Sequence, residues 1–252
     1  MTELPFCYGI IPCRYGSTRF EGKPLAEIEG RKMYWRVYNQ AKKCQILQRV
    51  VLATDSEKIF NDAKSNDVDA VMTSPDHPSG SDRVLEAAEA LDVIQEDDVV
   101  INIQGDEPAL DPHVLTRLIQ PFSDPAVQVT TPVRRITQGE KDSADRVKVV
   151  FDNNHRALYF SRSPIPHPRD NKKVGFFLHI GIYAFRMRTL KKFVELGPGY
   201  LEETEKLEQL RLLENGIPIH IVKTEYKSIG VDRPEDIPEV EKIIRANRSF
   251  YE

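Results

Sequence analysis

The sequence predicts an α/β protein, doubly wound around a mostly parallel sheet, with a smaller β-rich lobe. Three observations predict it. Short apolar runs alternate with helically spaced segments at intervals of about thirty residues through the first half. Each run ends in polar residues, the place where open α/β sheets present groups to ligands. After residue 125 the alternation gives way to closely spaced strand patterns. A chain of 252 residues is long enough to bury a sizeable core in one such domain.

Composition narrows the class. With a net charge of -4, no basic face is implied, which argues against a general nucleic-acid binder. Any polyanion must then be met by local cations. No run approaches the ~20 apolar residues of a membrane span. The opening MTELPF has no signal-peptide pattern. Three cysteines, Cys7, Cys13 and Cys44, lack metal-like spacing, so reduced thiols and a cytoplasmic location are expected, with neither nucleic acid nor membrane as partner.

Residues 7–11 read as a buried strand that breaks into a loop carrying Arg14, Gly16, Ser17, Thr18, Arg19, Gly22 and Lys23. Small residues let backbone N–H groups approach a polyphosphate, and the cations offset its charge. Charge spacing alone fits a solvated basic turn equally well. The loop is neither a GK[ST] loop nor GxGxxG. Cys13, beside Arg14, has no His or Asp partner in view and is read as a small filler rather than a reactive thiolate.

Residues 32–44 have helical spacing, with Met33, Val37 and Ala41 on one stripe. A second strand, 49–53, ends in Thr54 and Asp55. A helix over 56–65 takes Ser56 as its N-cap, and 70–73 form a third strand. The loop SPDHPSGSDR, 74–83, leads into a helix over 84–91 and offers N–H donors to a ligand, although it also makes a good turn and cap. Residues 98–103 are the cleanest buried strand and deliver Gln104, Gly105, Asp106, Glu107 and Pro108. A carboxylate just past a central strand is placed to hold a hard divalent cation, though adjacent acids also form capped turns. A helix over 112–121 completes this unit.

The second half begins with a strand over 127–134. Residues 146–163 read as two strands around Asp152, Asn153 and Asn154, which tolerate φ > 0. One strand is expected over 177–185 and one amphipathic helix over 200–215, stopped by Asn215 and Gly216. A strand over 217–222 and a surface helix over 234–247 follow.

Five blocks then point to a family. IPCRYGSTRFEGKPL, MTSPDHPSGSDR, INIQGDEP, VKVVFDNNHRALYFSRSPIP, and EKLEQLRLLENG with GVDRPEDI occur in order between residues 10 and 237, and HIGIY at 179–183 fits among them. Together they resemble the 3-deoxy-manno-octulosonate (Kdo) cytidylyltransferases, the CMP-Kdo synthetases among sugar nucleotidyltransferases. The resemblance implies a single Rossmann-like nucleotidyltransferase domain over 1–252. Within it, 1–125 would be mainly the nucleotide-binding half, 126–200 a β-rich lobe for sugar binding and dimerisation, and 201–252 the part that returns a metal aspartate.

The implied reaction is transfer of CMP from CTP to Kdo with release of pyrophosphate and with Mg²⁺ as cofactor, in a homodimer serving lipopolysaccharide or capsule synthesis. By the same resemblance, Arg14, Arg19 and Lys23 hold the triphosphate, and Asp106 and Asp232 hold the metal. Gly16, Ser17, Ser79, Gly80, Arg83 and Gln104 match nucleotide-side positions. Arg162, His179, Tyr183, Glu208 and Gln209 match sugar-side positions, although pattern alone would put Glu208 and Gln209 on a helix surface and Tyr183 in the core. The sugar's anomeric hydroxyl attacks the α-phosphate directly, so positioning and electrostatics carry the rate and no covalent intermediate is expected.

Some residues depart from the pattern. Leu178 stands where many members have Arg or Lys, with Arg169, Lys172 or Lys173 as candidates to compensate. Phe20-Glu21 replaces the usual Leu-Pro, and Tyr200 replaces a Pro. These departures leave open the same CMP transfer to 8-amino-Kdo or another nonulosonic-type acid. A non-catalytic nucleotide-binding homologue is the alternative from another class. It predicts damage to Arg14, Arg19, Lys23, Asp106 or Asp232, and all five are present.

Overall fold

The computed structural model describes residues 3–16, 19–170 and 174–252, so Ser17, Thr18, Lys172 and Lys173 lie outside the described residues. Its centre is β1 (Cys7–Cys13), buried at every residue except Pro12. Alternate side chains of β1 feed two cores. Ile11 packs with Tyr34, Val37 and Leu52 on one face of the sheet, and Ile10 with Val84, Val100 and Phe185 on the other. A strand apolar on both sides must be covered on both, which is the demand of a parallel sheet. Each such buried side chain contributes about 1.5–3 kcal/mol.

A short ribbon, β2 (Glu27–Ile28) with β3 (Arg31–Lys32), precedes α1 (Met33–Lys42). Then come β4 (Leu47–Thr54), α2 (Glu57–Ser65), β5 (Ala70–Met72), α3 (Gly80–Glu89), β6 (Val99–Asn102) and α4 (Pro112–Ile119). Strands β5, β4, β1 and β6 lie side by side in that order, all parallel. The strand order therefore reverses beside β1, and a crevice opens between the carboxyl ends of β1 and β6. Helix α1 buries Met33, Val37 and Ala41, as their spacing predicts. Helix α3 starts earlier than expected, because Ser79 Oγ accepts from the N–H groups of Ser81 (3.1 Å) and Asp82 (3.4 Å) and so caps it.

The second half extends the same sheet. It supplies β7 (Val129–Ile136), β8 (Lys148–Phe151), β9 (Ala157–Ser161), β10 (Phe176–His179) and β11 (Tyr183–Arg186). Helices α5 (Met187–Glu195), α6 (Tyr200–Glu205) and α7 (Leu210–Glu214) follow, then β12 (Ile219–Lys223), α8 (Ile237–Ala246) and α9 (Arg248–Tyr251). Beyond β6 the order continues β11, β7, β10, β8, β9 with antiparallel pairing, while β12 runs parallel to β7. Among the described residues, no helix is long and apolar enough to cross a membrane.

Three expectations need correction. The strand expected over 177–185 is two strands separated by a bulge at 180–182. His179 pairs with Val133 and Ala184 with Thr130, so five steps along one strand span three along β7. The Thr131 hydroxyl holds the bulge, 3.2 Å from the Ile180 carbonyl and 2.9 Å from that of Ile182. Bulges of this kind re-aim side chains beside active sites.

The helix expected over 200–215 breaks at Lys206, which is left-handed at φ 53°. Here tertiary bonds from β9 override the apolar period. Arg162 Nε donates to the Glu205 carbonyl (2.8 Å), while the Glu205 carboxylate accepts from Ser161 Oγ (2.6 Å) and the Arg162 N–H (2.9 Å). In the turn after β8 the left-handed residue is His155 (φ 60°), not Asn153 or Asn154. Asp152 Oδ1 organises that turn, accepting from the N–H groups of Asn154 and Arg156 at 2.8 Å each.

Candidate active site

The ends of β1 and β6 and the loop that leads into α3 meet at the carboxyl edge of the parallel strands. The loop after β1 closes on itself, with the Gly22 N–H donating to the Tyr15 carbonyl at 2.9 Å. Gly22 sits at φ 66°, a conformation that glycine adopts without strain. The turn at Lys23–Leu25 then sends Lys23 back towards the end of β6. Its Nζ donates to Asp106 Oδ2 at 2.8 Å and lies 3.7 Å from Asp232 Oδ1. Arg19 Nη2 lies 3.1 Å from the same Asp232 oxygen. The fold thus gathers two distant aspartates onto the cations of the first loop.

These groups line a cavity of about 290 Å³, together with Arg14, Ser79, Gly80, Arg83 and Gln104. Of the nucleotide-side candidates, Gly16 is exposed and does not line it, and Ser17 is not among the described residues. Arg83 is spoken for inside the protein. It donates to Asp55 Oδ2 (2.7 Å) and Thr73 Oγ1 (2.6 Å) and is buried, so it forms a fixed wall rather than a free anion clamp. Cys13 is buried under Gly105, and burial pushes its thiol well above the ordinary range. It is a filler.

The donor set at Asp106 and Asp232 is two carboxylates. No group of three His, Cys, Asp or Glu converges among the described residues. A hard divalent cation would therefore take its remaining ligands from water and phosphate oxygens, the habit of Mg²⁺, and the two carboxylates fit such an ion. Glu107, the second acid of the pair, has another use. It accepts from Tyr226 OH (2.7 Å) and Ser228 Oγ (2.5 Å), and burial pushes its pKa up to about 7. It anchors the segment leading to Asp232.

A larger cavity of about 650 Å³ adjoins the first and shares Gln104 and Asp106 with it. All five sugar-side candidates, Arg162, His179, Tyr183, Glu208 and Gln209, line it. The broken helix and the bulge put them there. Gln104 Nε2 donates to the Gly181 carbonyl of the bulge at 2.6 Å. His179 Nε2 lies 3.0 Å from Thr131 Oγ1, whose one hydrogen goes to a carbonyl, so Nε2 carries the ring proton and Nδ1 keeps a lone pair. Burial lowers the ring's pKa to about 3, so His179 is neutral and offers no cation. Glu208 is held by Ser81 Oγ at 3.1 Å, and burial raises its pKa. Gln209 Nε2 is buried with no protein partner.

Arg162 corrects its expectation in part. It reaches the cavity, but its guanidinium donates to the carbonyls of Glu205 (2.8 Å), Ala144 (3.0 Å) and Lys206 (3.4 Å). It closes the end of α6 rather than standing open to an anion.

Pattern reading missed Arg134 and Arg146, two cations that line the larger cavity. Leu178 pairs across the sheet with Arg134 on one side and Lys148 on the other. Lys148 is committed to the carbonyls of Ser143 (2.9 Å), Arg146 (2.6 Å) and Arg162. Arg134 and Arg146 both pair with Glu140 Oε1, Arg134 at 2.9 Å. The Thr137 N–H, then Arg134, hold the Glu140 carboxyl down at about 2. Asp145 lines the same cavity, so the two guanidiniums stand beside that carboxylate as well as the one they share. Only the strand register sets Arg134 opposite Leu178.

Comparison with known proteins agrees with this geometry. A family model described as cytidylyltransferase matches residues 8–229. A 3-deoxy-manno-octulosonate cytidylyltransferase of Nitratidesulfovibrio vulgaris strain Hildenborough is 54% identical over 245 residues, 96% of this chain and 97% of its own. One of Thermodesulfovibrio yellowstonii is 45% identical, covering 93% of this chain and 96% of its own. A solved CMP:2-keto-3-deoxy-manno-octonic acid synthetase complexed with CTP superposes with a TM-score of 0.91 at 37% identity, covering 96% of this chain and 99% of that one. The chain belongs to the cytidylyltransferase family.

Proposed function

We propose that this protein transfers CMP from CTP to Kdo and releases pyrophosphate, by direct attack of the sugar's anomeric hydroxyl on the α-phosphate. The observation that carries the reading is the junction of the two cavities at Gln104 and Asp106. A triphosphate on the cationic side and a polyhydroxy acid on the other would meet there, and adjacency of that kind removes most of the entropic barrier.

Arg14, Arg19 and Lys23 hold the phosphates and stabilise charge that builds on the departing pyrophosphate. Asp106 and Asp232 would hold Mg²⁺, which would supply charge neutralisation at the phosphate oxygens. Ser79 and Gly80 present the start of α3 to the nucleotide, with Arg83 as the wall behind. On the acceptor side, Gln209 Nε2 donates, His179 Nδ1 accepts, and Glu208 orients a hydroxyl. Arg134 and Arg146 provide the positive charge that the acid's carboxylate calls for. On this reading 1–125 serves the nucleotide and 126–200 the acceptor. Residues 201–252 return Asp232 and add Glu208 and Gln209 to the acceptor cavity.

Leu178 favours a second reading. An apolar residue there, in place of a cation, suits an acid bearing its own amino group, such as 8-amino-Kdo. The test is pyrophosphate release with CTP and Mg²⁺, comparing Kdo, 8-amino-Kdo and N-acetylneuraminate. Fastest release with Kdo is expected. Preference for the amino sugar would move the specificity and keep the chemistry, whereas tight CTP binding with no release would favour a non-catalytic homologue.

The proposed setting is the cytoplasm, in lipopolysaccharide or capsule synthesis, as a homodimer. The dimer contact is assigned to the β8–β9 hairpin, because β9 ends the strand order and leaves Leu158 61% exposed. A monomer at micromolar concentration in sedimentation would remove this assignment.

A further inference from the structure

We propose that Ser81 is a positioning residue that ties the two subsites together, its hydroxyl orienting Glu208 for the acceptor from the same helical turn that faces the nucleotide. The inference rests on the function proposed above.

The geometry is local and closed. Ser79 and Gly80 line the phosphate-side cavity, and Ser81 follows them directly in the first turn of α3. That turn is locked, since Ser79 Oγ accepts from the Ser81 N–H (3.1 Å) and donates to Asp82 Oδ2 (2.5 Å). Ser81 is 1% exposed, so its hydroxyl has one direction in which to act. It donates to Glu208 Oε1 at 3.1 Å. Glu208 lies in the turn between the break at Lys206 and the start of α7, where its carbonyl accepts from the Arg211 N–H at 3.1 Å and its side chain is left to Ser81.

The charged neighbours do not replace this bond. Arg211 favours the ionised carboxyl, but its guanidinium is held by Glu202 in two bonds of 2.7 and 2.6 Å. Glu202 and Asp82 oppose ionisation of Glu208, and burial first, then the charge of Glu208, raises the pKa of the Tyr183 hydroxyl. Lys206 and Arg162 share the cavity, with the Arg162 guanidinium committed to carbonyls. Ser81 is therefore the direct donor that favours the ionised form of this half-buried carboxyl and aims it.

A hydrogen bond to a charged group contributes about 1.5–3 kcal/mol, which corresponds to about tenfold or more. Ser81→Ala should raise KM for the sugar acid about tenfold while CTP affinity by calorimetry stays within about twofold. Removing the donor also raises the pKa of Glu208, so the acid limb of the kcat/KM profile should move to higher pH. In a Glu208→Gln background the same substitution should add little, because the bond is already altered. Ser81→Thr, which keeps the hydroxyl, should hold KM for the acid within about threefold.

An unchanged KM for the acid in Ser81→Ala overturns the proposal. So does a parallel loss of CTP affinity, which would make Ser81 part of the helix cap alone, or full additivity with Glu208→Gln. If the parent protein turns over none of the acids, the functional reading fails on its own. The carboxyl ¹³C titration of Glu208 then still reads the bond, and its midpoint must rise in Ser81→Ala.

Discussion

Replacing Gly105 by Ala tests how the crevice between β1 and β6 is built. A Cβ at this position would lie 2.7 Å from the Pro12 carbonyl oxygen, 2.9 Å from Cys13 Sγ and 3.5 Å from Ile11 Cγ2. Ordinary contact begins near 3.5 Å, so the loop must move by roughly half an ångström or more. Pro12 and Cys13 cannot yield easily, because β1 is clamped between β4 and β6. The movement therefore falls on Gln104 and Asp106.

Overpacking of this kind costs about 1–3 kcal/mol in stability. Misplacing a reacting group by about an ångström costs on the order of a hundredfold in rate. Gly105→Ala should accordingly lower kcat/KM for pyrophosphate release about a hundredfold and shift the urea midpoint down. Gly197→Ala is the control, since a Cβ there meets nothing within 4 Å. A Gly105→Ala protein as stable and as active as its parent would refute the reasoning about close approach.

Other outcomes follow from the same geometry. Lys23→Met leaves Asp106 without its 2.8 Å partner and should lower kcat about a hundredfold or more, with little loss of stability, as read by pyrophosphate release and urea unfolding. Arg134→Met should raise KM for the sugar acid several-fold and leave KM for CTP unchanged, and equal effects on both would contradict its place on the acceptor side. The folded pKa of His179, about 3, lies below its ordinary 6.5, so the unfolded chain binds a proton that the folded one refuses. The stability involved is present above pH 6.5 and is lost as pH falls towards 3. Between pH 6.5 and 5 this amounts to up to about 2 kcal/mol, and His179→Gln should remove that part of the slope in urea unfolding.

The parallel half was legible because its strands are buried on both faces and end in polar loops. Residues 7–11, 49–53 and 98–103 carry that signal without help from the rest of the chain. What stayed hidden was set by tertiary hydrogen bonds. The apolar spacing of Leu201, Leu207, Leu210 and Leu213 runs through a break that Arg162 imposes from just past the end of β9. The bulge at 180–182 depends on one hydroxyl, Thr131, from a neighbouring strand. Both departures occur at the acceptor cavity, which is where local pattern and global fold are expected to disagree. Asp106 was offered by its place just past a central strand, whereas Asp232 came through resemblance, because no spacing rule joins the two. Arg134 was missed since its position opposite Leu178 exists only in the register of β7 and β10.

The most direct test of the central claim is ³¹P NMR of the protein with CTP, Kdo and Mg²⁺. The α-phosphorus should move into a sugar phosphodiester with one pyrophosphate released for each, and Asp106→Asn and Asp232→Asn should each suppress this by a factor on the order of a hundred or more. An α-phosphorus that appears as free CMP, or CTP that stays intact while the acid is present, would contradict it.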